Sequence, residues 1–455
     1  MLNQKDEIAL VKRFLHPAPR YTSYPSVGAW GIMGASHYEA ALNRLESEAQ
    51  ALSLYIHLPF CERMCTFCAC TAIANKNDTI VEHYLTLLLR ELEHVAQITG
   101  RKRLLQIHLG GGTPTRLSPE QLERLGRTIW KYFDPDPSIE ACAEIDPSAT
   151  TNEHLEALKD IGFNRLSMGV QDFSPEIQEI IGRHQCLNKT EDLFSRARHL
   201  DFKSINIDIM YGLPAQTPEH LVHNANKVKA LGADRVAIFP YAHVPKLKPQ
   251  QKSFEQYALP STYQRYEQFQ SARNILQESS YCQIGMDHFA LETDELSQAL
   301  TQGILNRNFQ GYTVLEPTAL IGLGLSAISD IHGQYFQNAK RLGDYNKQIE
   351  EKNNATQRGY SLTPDDLIRR EVIQRLMCHL DVSFEQLEQH QRVDALQYFQ
   401  QELEELKVFA QHNLIVLSEH SIKVSELGRS FLMNIAKIFD AHAFPTSFMA
   451  GNGHA

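Results

Sequence analysis

Cys61, Cys65 and Cys68 put three thiols on one short stretch of chain, and thiolates are soft ligands for iron-sulfur clusters and for zinc. A structural zinc ion usually takes four ligands from two separated pairs, and no second pair follows here. A 4Fe-4S cluster held by three cysteines keeps one iron open to a further ligand, so the spacing favours a cluster, with zinc as the alternative. Cys70 follows Cys68 after a single spacer, which rarely lets two ligands reach corners of one cluster without strain, and it reads as a bystander. Phe67 offers a flat apolar surface on which an adenine ring could stack, or simply a side chain for the core. At Gly110, Gly111 and Gly112, followed by Thr113 and Pro114, backbone amides could meet a ligand's carboxylate or amino group with no side chain in the way. A plain tight turn would use the same residues.

The elements that must position these residues are short β-rich runs starting near Leu52, Leu104, Ile139, Arg165, Ser204, Arg235 and Tyr281. Between them, Val81–Ala96, Pro119–Tyr132, Asn152–Ile161 and Pro218–Leu231 carry apolar residues at three- and four-residue spacing, as helices covering a sheet do. Strands alternating with helices predict an α/β fold of about six or seven parallel units, a partial or complete TIM-type (β/α) barrel within residues 51–360. After successive strands come the cysteines, the glycine run, Glu144 with Asp146, Gln171 with Asp172, Asp208, and Tyr241 with His243. In a parallel barrel these positions converge on the C-terminal face, where such folds place their chemistry. From Leu362–Asp366, which has the form of a helix start, residues 361–455 predict a smaller, mostly helical domain. Its strand pair Leu414–Leu417 and Ile422–Val424, followed by a helix over Leu427–Phe439, suggests a winged-helix-like cover. The tail Met449–Ala455 is expected to fray.

Composition excludes several classes. With 44 Lys and Arg against 54 Asp and Glu the net charge is -10, which argues against broad nucleic-acid binding and means that an anionic substrate must meet a local basic patch. Eight cysteines in 455 residues are too few for a disulfide scaffold, and Cys142, Cys186, Cys282 and Cys378 lie far apart, as small core residues do. No stretch approaches the roughly 18 apolar residues of a membrane span, and the first 20 residues lack a secretory core, so a cytoplasmic protein is expected.

The cysteine motif, with an aromatic residue before its last cysteine and the glycine run one strand later, resembles the radical S-adenosylmethionine (SAM) superfamily. Arg20–Pro25, Tyr55–Cys61, Glu144–Pro147, Ser167–Asp172, Asn206–Asp208, Tyr211–Pro214, Gly285–Phe289 and Asn308–Thr313 narrow the resemblance, nearly end to end, to the oxygen-independent coproporphyrinogen III oxidase family. That resemblance implies one 4Fe-4S cluster on Cys61, Cys65 and Cys68, with two SAM molecules beside it. It places Tyr55, Gly111, Glu144 and Ile328 on the first SAM. Phe67, Gly112, Thr113, Gln171, Arg183, Asp208 and Ala242 fall on the second. The residue types suit those roles: Glu144 and Asp208 can accept from amino or ribose hydroxyl groups, and Arg183 can clamp a carboxylate.

The implied reaction turns two propionates of coproporphyrinogen III into vinyl groups, giving protoporphyrinogen IX, with the hard bond-breaking done by the cofactor. A one-electron donor such as flavodoxin or ferredoxin, and a monomeric enzyme, are further implications. A haem chaperone and a haem-degrading methyltransferase are the alternatives that share the cluster motif. One departure concerns the substrate: Ala69, Cys70, Thr71 and Ala72 follow the last ligand where the family commonly carries a basic residue. Cationic partners for the propionates are therefore sought in residues 1–50, read as a substrate-covering segment, at Arg20 with the hydroxyls of Tyr21 and Tyr24. Lys246, Lys248 and Lys252 are a second source, unless they only form a solvated loop.

Overall fold

The barrel strands alternate apolar and polar residues, and the alternation sets which side faces which neighbour. In the computed structural model, which describes residues 4–48, 50–315 and 319–443, these strands are β1 (Leu52–Leu58), β2 (Lys102–Gly111), β3 (Phe133–Ile145), β4 (Arg165–Gln171), β5 (Ser204–Tyr211), β6 (Arg235–Pro240) and β7 (Ala319–Leu323). They run parallel in the order β7-β1-β2-β3-β4-β5-β6. Ile56, Leu109, Ala143, Met168 and Ile207 point outward into the main core. The neighbours one residue away, Tyr55, His108, Glu144, Ser167 and Asn206, share the opposite face. Register aligns Tyr55 with His108, His108 with Cys142, Glu144 with Ser167 and Ser167 with Asn206, so that face is a polar wall built row by row.

Helices Asp78–Thr99, Pro119–Tyr132, Asn152–Asp160 and Pro218–Leu231 cover the outside close to where their periodicity predicts. Pro119–Tyr132 shows why: Ser118 and Gln121 form a capping box, Pro119 begins the first turn, and Leu122, Leu125 and Ile129 make one buried face. Each such side chain stabilises the fold by roughly 1.5–3 kcal/mol relative to exposure.

Several expectations are corrected. The run at Tyr281 is not a parallel unit: Tyr281–Ile284 and His288–Leu291 form an antiparallel hairpin whose second strand caps β6. The seventh parallel strand is β7, which joins β1 from the other side and leads into antiparallel strands, so the barrel is partial and open. The hairpin Gly285 turn has a positive φ of 55°, and this reverses the chain before a helix can form. Leu427–Phe439 is not one helix but a 3-10 turn, Gly428–Phe431, followed by Leu432–Lys437. The strand pair is joined by a third strand, Asp381–Ser383, giving a small antiparallel sheet beside helix Pro364–His379. Residues 1–50 also have a packing role: Leu10, Val11 and Phe14 of helix Gln4–Phe14 pack into the C-terminal domain's core, and Tyr38, Ala41, Leu42 and Leu45 of helix Ala35–Glu46 pack on the barrel. The tail Met449–Ala455 lies outside the described residues.

Glu91, on the inner face of helix Asp78–Thr99, ties β7 to its neighbours by accepting from Gly324 N at 2.8 Å, Asn338 Nδ2 at 2.6 Å and Tyr345 OH at 2.7 Å. Burial pushes its carboxyl up to about 7 despite those bonds. A carboxyl raised in the folded state holds its proton after the unfolded chain has lost it, so stability falls as pH rises from the unfolded value toward 7, by about 3 kcal/mol. Glu91→Gln is expected to remove that decline. Urea midpoints at pH 5 and pH 7 check it, and equal shifts in both proteins would contradict it.

Candidate active site

The cysteine loop leaves the end of β1. Its base is closed by a two-residue ladder of Phe60–Cys61 with Ile73–Ala74, and Cys68 N donates to Cys65 O at 3.2 Å inside it. Thr66 fastens its middle, donating from N to Ile181 O at 3.1 Å and from Oγ1 to Ile180 O at 3.3 Å. Cys61, Cys65 and Cys68 line a cavity of about 360 Å³ at the C-terminal ends of the strands. Among the described residues no three His, Cys, Asp or Glu side chains converge as around a single ion. Thr113 Oγ1 donates to Cys61 Sγ at 3.4 Å and Arg183 Nη1 to Cys65 Sγ at 3.8 Å. Burial pushes the Cys61 thiol up to about 11 and raises Cys65, while the hydrogen bond from Cys70 brings Cys68 down to about 6. Three soft donors on the wall of a roomy cavity, with hydrogen bonds from Thr113 to Cys61 and from Arg183 to Cys65 beside the one from Cys70 to Cys68, fit an iron-sulfur cluster.

The glycines answer to the protein's own packing. A Cβ at Gly112 would meet Pro59 O at 2.5 Å, one at Gly111 the His57 ring at 2.7 Å, and one at Gly110 the Glu144 carboxylate at 2.8 Å. Their amides are also engaged: Gly112 N donates to Leu58 O at 2.8 Å and Gly111 N to Glu144 Oε2 at 3.2 Å. The run therefore lets β1, the cysteine loop and Glu144 close on one another, and the expected free amides are not there.

Glu144 Oε1 faces His108 Nε2 at 3.1 Å. Enclosure raises the Glu144 carboxyl, but the bonds from His108 and Gly111 outweigh it and leave the group below the ordinary glutamate value. Asp208 accepts from Ser167 Oγ at 2.9 Å and Asn206 Nδ2 at 2.7 Å, and is pushed up to about 6 by loss of water and by Glu144. Arg183, nearly buried, pairs with Asp146 at 3.0 Å. Gln171 sits at φ 73° beside a register shift between β4 and β5 and lines the cavity. Asp172 is turned away: it is fully buried and accepts from Ser174 N, Gln216 Nε2 and Asn224 Nδ2 at 2.7–2.9 Å as a structural carboxylate.

The cavity brings together Cys61, Cys65, Phe67, Cys68, Gly111, Gly112, Thr113, Glu144, Gln171, Arg183, Asp208 and Ala242. Tyr55 and Ile328 are not on its surface. Tyr55 lies behind Glu144, its ring stacked on His108 at 5.9 Å and its OH 3.1 Å from His57 Nδ1, and Ile328 packs behind Gly322, which pairs with Tyr55. Arg20 pairs with Asp287 and lies 5.1 Å over the ring of Phe239, a cavity-wall residue. Tyr21 and Tyr24 are corrected: both are buried, Tyr21 OH donates to Asp440 at 3.1 Å, and Tyr24 OH accepts from Ala441 N at 3.2 Å, so these hydroxyls serve the C-terminal domain. His108, Ser167 and Asn206 received no role from sequence, although strand alternation with Glu144 and Asp208 puts them on the same wall.

An anion next to His108, a cation at Arg183 and a hydroxyl-binding carboxylate at Asp208 suit a zwitterionic ligand that carries a sugar, set beside thiolates.

Comparison with known proteins is consistent with this geometry. Residues 55–228 match the Radical SAM superfamily and residues 362–431 the HemN C-terminal domain. The oxygen-independent coproporphyrinogen III oxidase of Salmonella typhimurium is 39% identical over 438 residues, covering 96% of this chain and 95% of that protein. Its counterpart from Pseudomonas aeruginosa is also 39% identical, covering 95% of each chain. The solved structure of coproporphyrinogen III oxidase (HemN) from Escherichia coli, a radical SAM enzyme, superposes with a TM-score of 0.91 at 38% identity, over 96% of this chain and 99% of that one.

Proposed function

Because the chain belongs to the oxygen-independent coproporphyrinogen III oxidases of the radical SAM superfamily, we propose that its cavity holds one 4Fe-4S cluster on Cys61, Cys65 and Cys68 with two SAM molecules. The protein is a SAM-dependent oxidoreductase of porphyrin synthesis acting on coproporphyrinogen III, and two propionates become vinyl groups. Cys61, Cys65 and Cys68 would hold the cluster, which when bound would supply the one-electron reducing chemistry toward SAM. The residues of the chain bind, orient and exclude water.

The carrying observation is the meeting, in one cavity, of the three thiols with Glu144, Arg183 and Asp208. Glu144 takes the amino group of the first SAM, with Gly111 beside it and Tyr55 and Ile328 acting from behind. For the second SAM, Arg183 holds the carboxylate and Asp208 the ribose. Phe67 and Ala242 flank its adenine, and Gly112, Thr113 and Gln171 complete the wall. We assign catalysis to residues 51–360, closed by 1–50 and 361–455, in a cytoplasmic monomer served by a flavodoxin- or ferredoxin-like donor. No helix of the described residues is long and apolar enough to cross a membrane.

Anaerobic incubation of reconstituted protein with SAM, dithionite and coproporphyrinogen III, read by porphyrin chromatography, tests the reading; absence of protoporphyrinogen with intact SAM cleavage would count against the substrate. Arg20 is the propionate contact in this reading, supported by its place over Phe239. Deleting residues 1–25 would strip Leu10, Val11 and Phe14 from the C-terminal core, so a point change is the cleaner probe. Arg20→Ala is expected to keep SAM cleavage while raising the KM for coproporphyrinogen roughly 10-fold or more, the scale of a charge-assisted pair. An unchanged KM would remove Arg20 from the site.

A further inference from the structure

The outer side of the cysteine loop is held by one turn that no motif singles out. After β6 the chain passes Ala242 and enters the 3-10 segment Pro249–Gln256. Three side chains from residues 248–251 reach three carbonyls of the loop: Lys248 Nζ donates to Cys70 O at 2.6 Å, Gln250 Nε2 to Cys68 O at 2.9 Å and Gln251 Nε2 to Phe67 O at 2.9 Å. Gln251 has no solvent exposure and is bonded through both ends of its amide. Its Nε2 also donates to Ala242 O at 3.1 Å, and its Oε1 accepts from Val244 N at 2.6 Å.

One buried amide therefore spans the gap between the loop carrying Phe67 and the strand end carrying Ala242, which lie on the same cavity. A buried glutamine that satisfies two carbonyls and one amide fixes their separation, because moving either segment leaves a buried polar group unpaired. Lys248 serves the loop in the same way, where sequence read it as a substrate cation or as solvated.

We propose that residues 248–251 form a clamp on the cysteine loop, with Gln251 as a positioning residue that sets the distance between Phe67 and Ala242 and so shapes the second SAM subsite. The last clause rests on the assignment of Phe67 and Ala242 to that SAM; the clamp itself does not.

The test has two arms on full-length protein. In the cluster-free chain, trypsin cleavage after exposed Arg63 reports how firmly the loop is held. Gln251→Leu, similar in volume, is expected to speed that cut roughly tenfold while cuts elsewhere keep their rates, and an unchanged rate after Arg63 overturns the clamp. In the reconstituted protein, equilibrium dialysis with SAM is expected to show one molecule bound as in the wild type and the second weakened roughly tenfold. A fast cut with both SAM affinities unchanged keeps the clamp and overturns the positioning of the subsite. A wild-type protein that binds a single SAM overturns the two-SAM reading instead, leaving the first arm to decide the clamp. Should Gln251→Leu fail to fold, the Lys248→Met, Gln250→Ala double variant carries the first arm with the same two outcomes.

Discussion

Serine at Cys61, Cys65 or Cys68 is expected to leave the reconstituted protein without its cluster, whereas Cys70→Ser keeps it. Each of the three thiols lines the cavity wall, and a hydroxyl is too hard a donor and too weakly acidic to replace a thiolate on iron. Cys70 lines the same cavity but differs in setting: it follows Cys68 after a single spacer, it is exposed, and its carbonyl accepts from Lys248. Iron and sulfide per chain, with the visible absorption of the cluster, decide the matter. Iron lost from Cys70→Ser to the same degree as from the other three would sink the three-cysteine assignment.

The second large effect is expected at Arg183. Replacing it by alanine removes a nearly buried guanidinium that reaches Asp146 and Cys65 on the cavity wall. If it also clamps the carboxylate of the second SAM, Arg183→Ala should bind one SAM at near-normal affinity and hold the second on the order of 10- to 100-fold more weakly. The pairing with Asp146 supplies the control. Asp146 also accepts from Ser148 N and Ser148 Oγ at 2.8 Å, so Asp146→Asn keeps its turn and loses only the ion pair. Equal loss of the second SAM in Asp146→Asn and Arg183→Ala would mean that Arg183 acts by holding the wall together. Loss confined to Arg183→Ala would mean direct contact.

The sequence by itself singled out the three thiols proposed as cluster ligands, because soft donors at short spacing need no distant residue to be recognised. It also determined most of the barrel. Pro119–Tyr132 and Pro218–Leu231 run between the same residues in structure and in sequence reading, since capping and periodicity are local. The pairing of remote segments was decided only in the tertiary structure. Ala319–Leu323 looks like any short apolar run until it lies beside Leu52–Leu58, and the run at Tyr281 has strand character whichever way its neighbour points. The roles of polar side chains divide in the same way. Asp172 and Asp208 both follow strands, yet three buried donors turn Asp172 into the scaffold while Ser167 and Asn206 hold Asp208 on the polar wall that faces the cavity. Tyr21 and Tyr24 sit next to Arg20 in sequence and point into another domain, and Gln251 reaches a loop that lies 184 residues away along the chain. Composition and spacing record what a side chain can bond; which partner it meets depends on chain segments that only folding brings within hydrogen-bond reach.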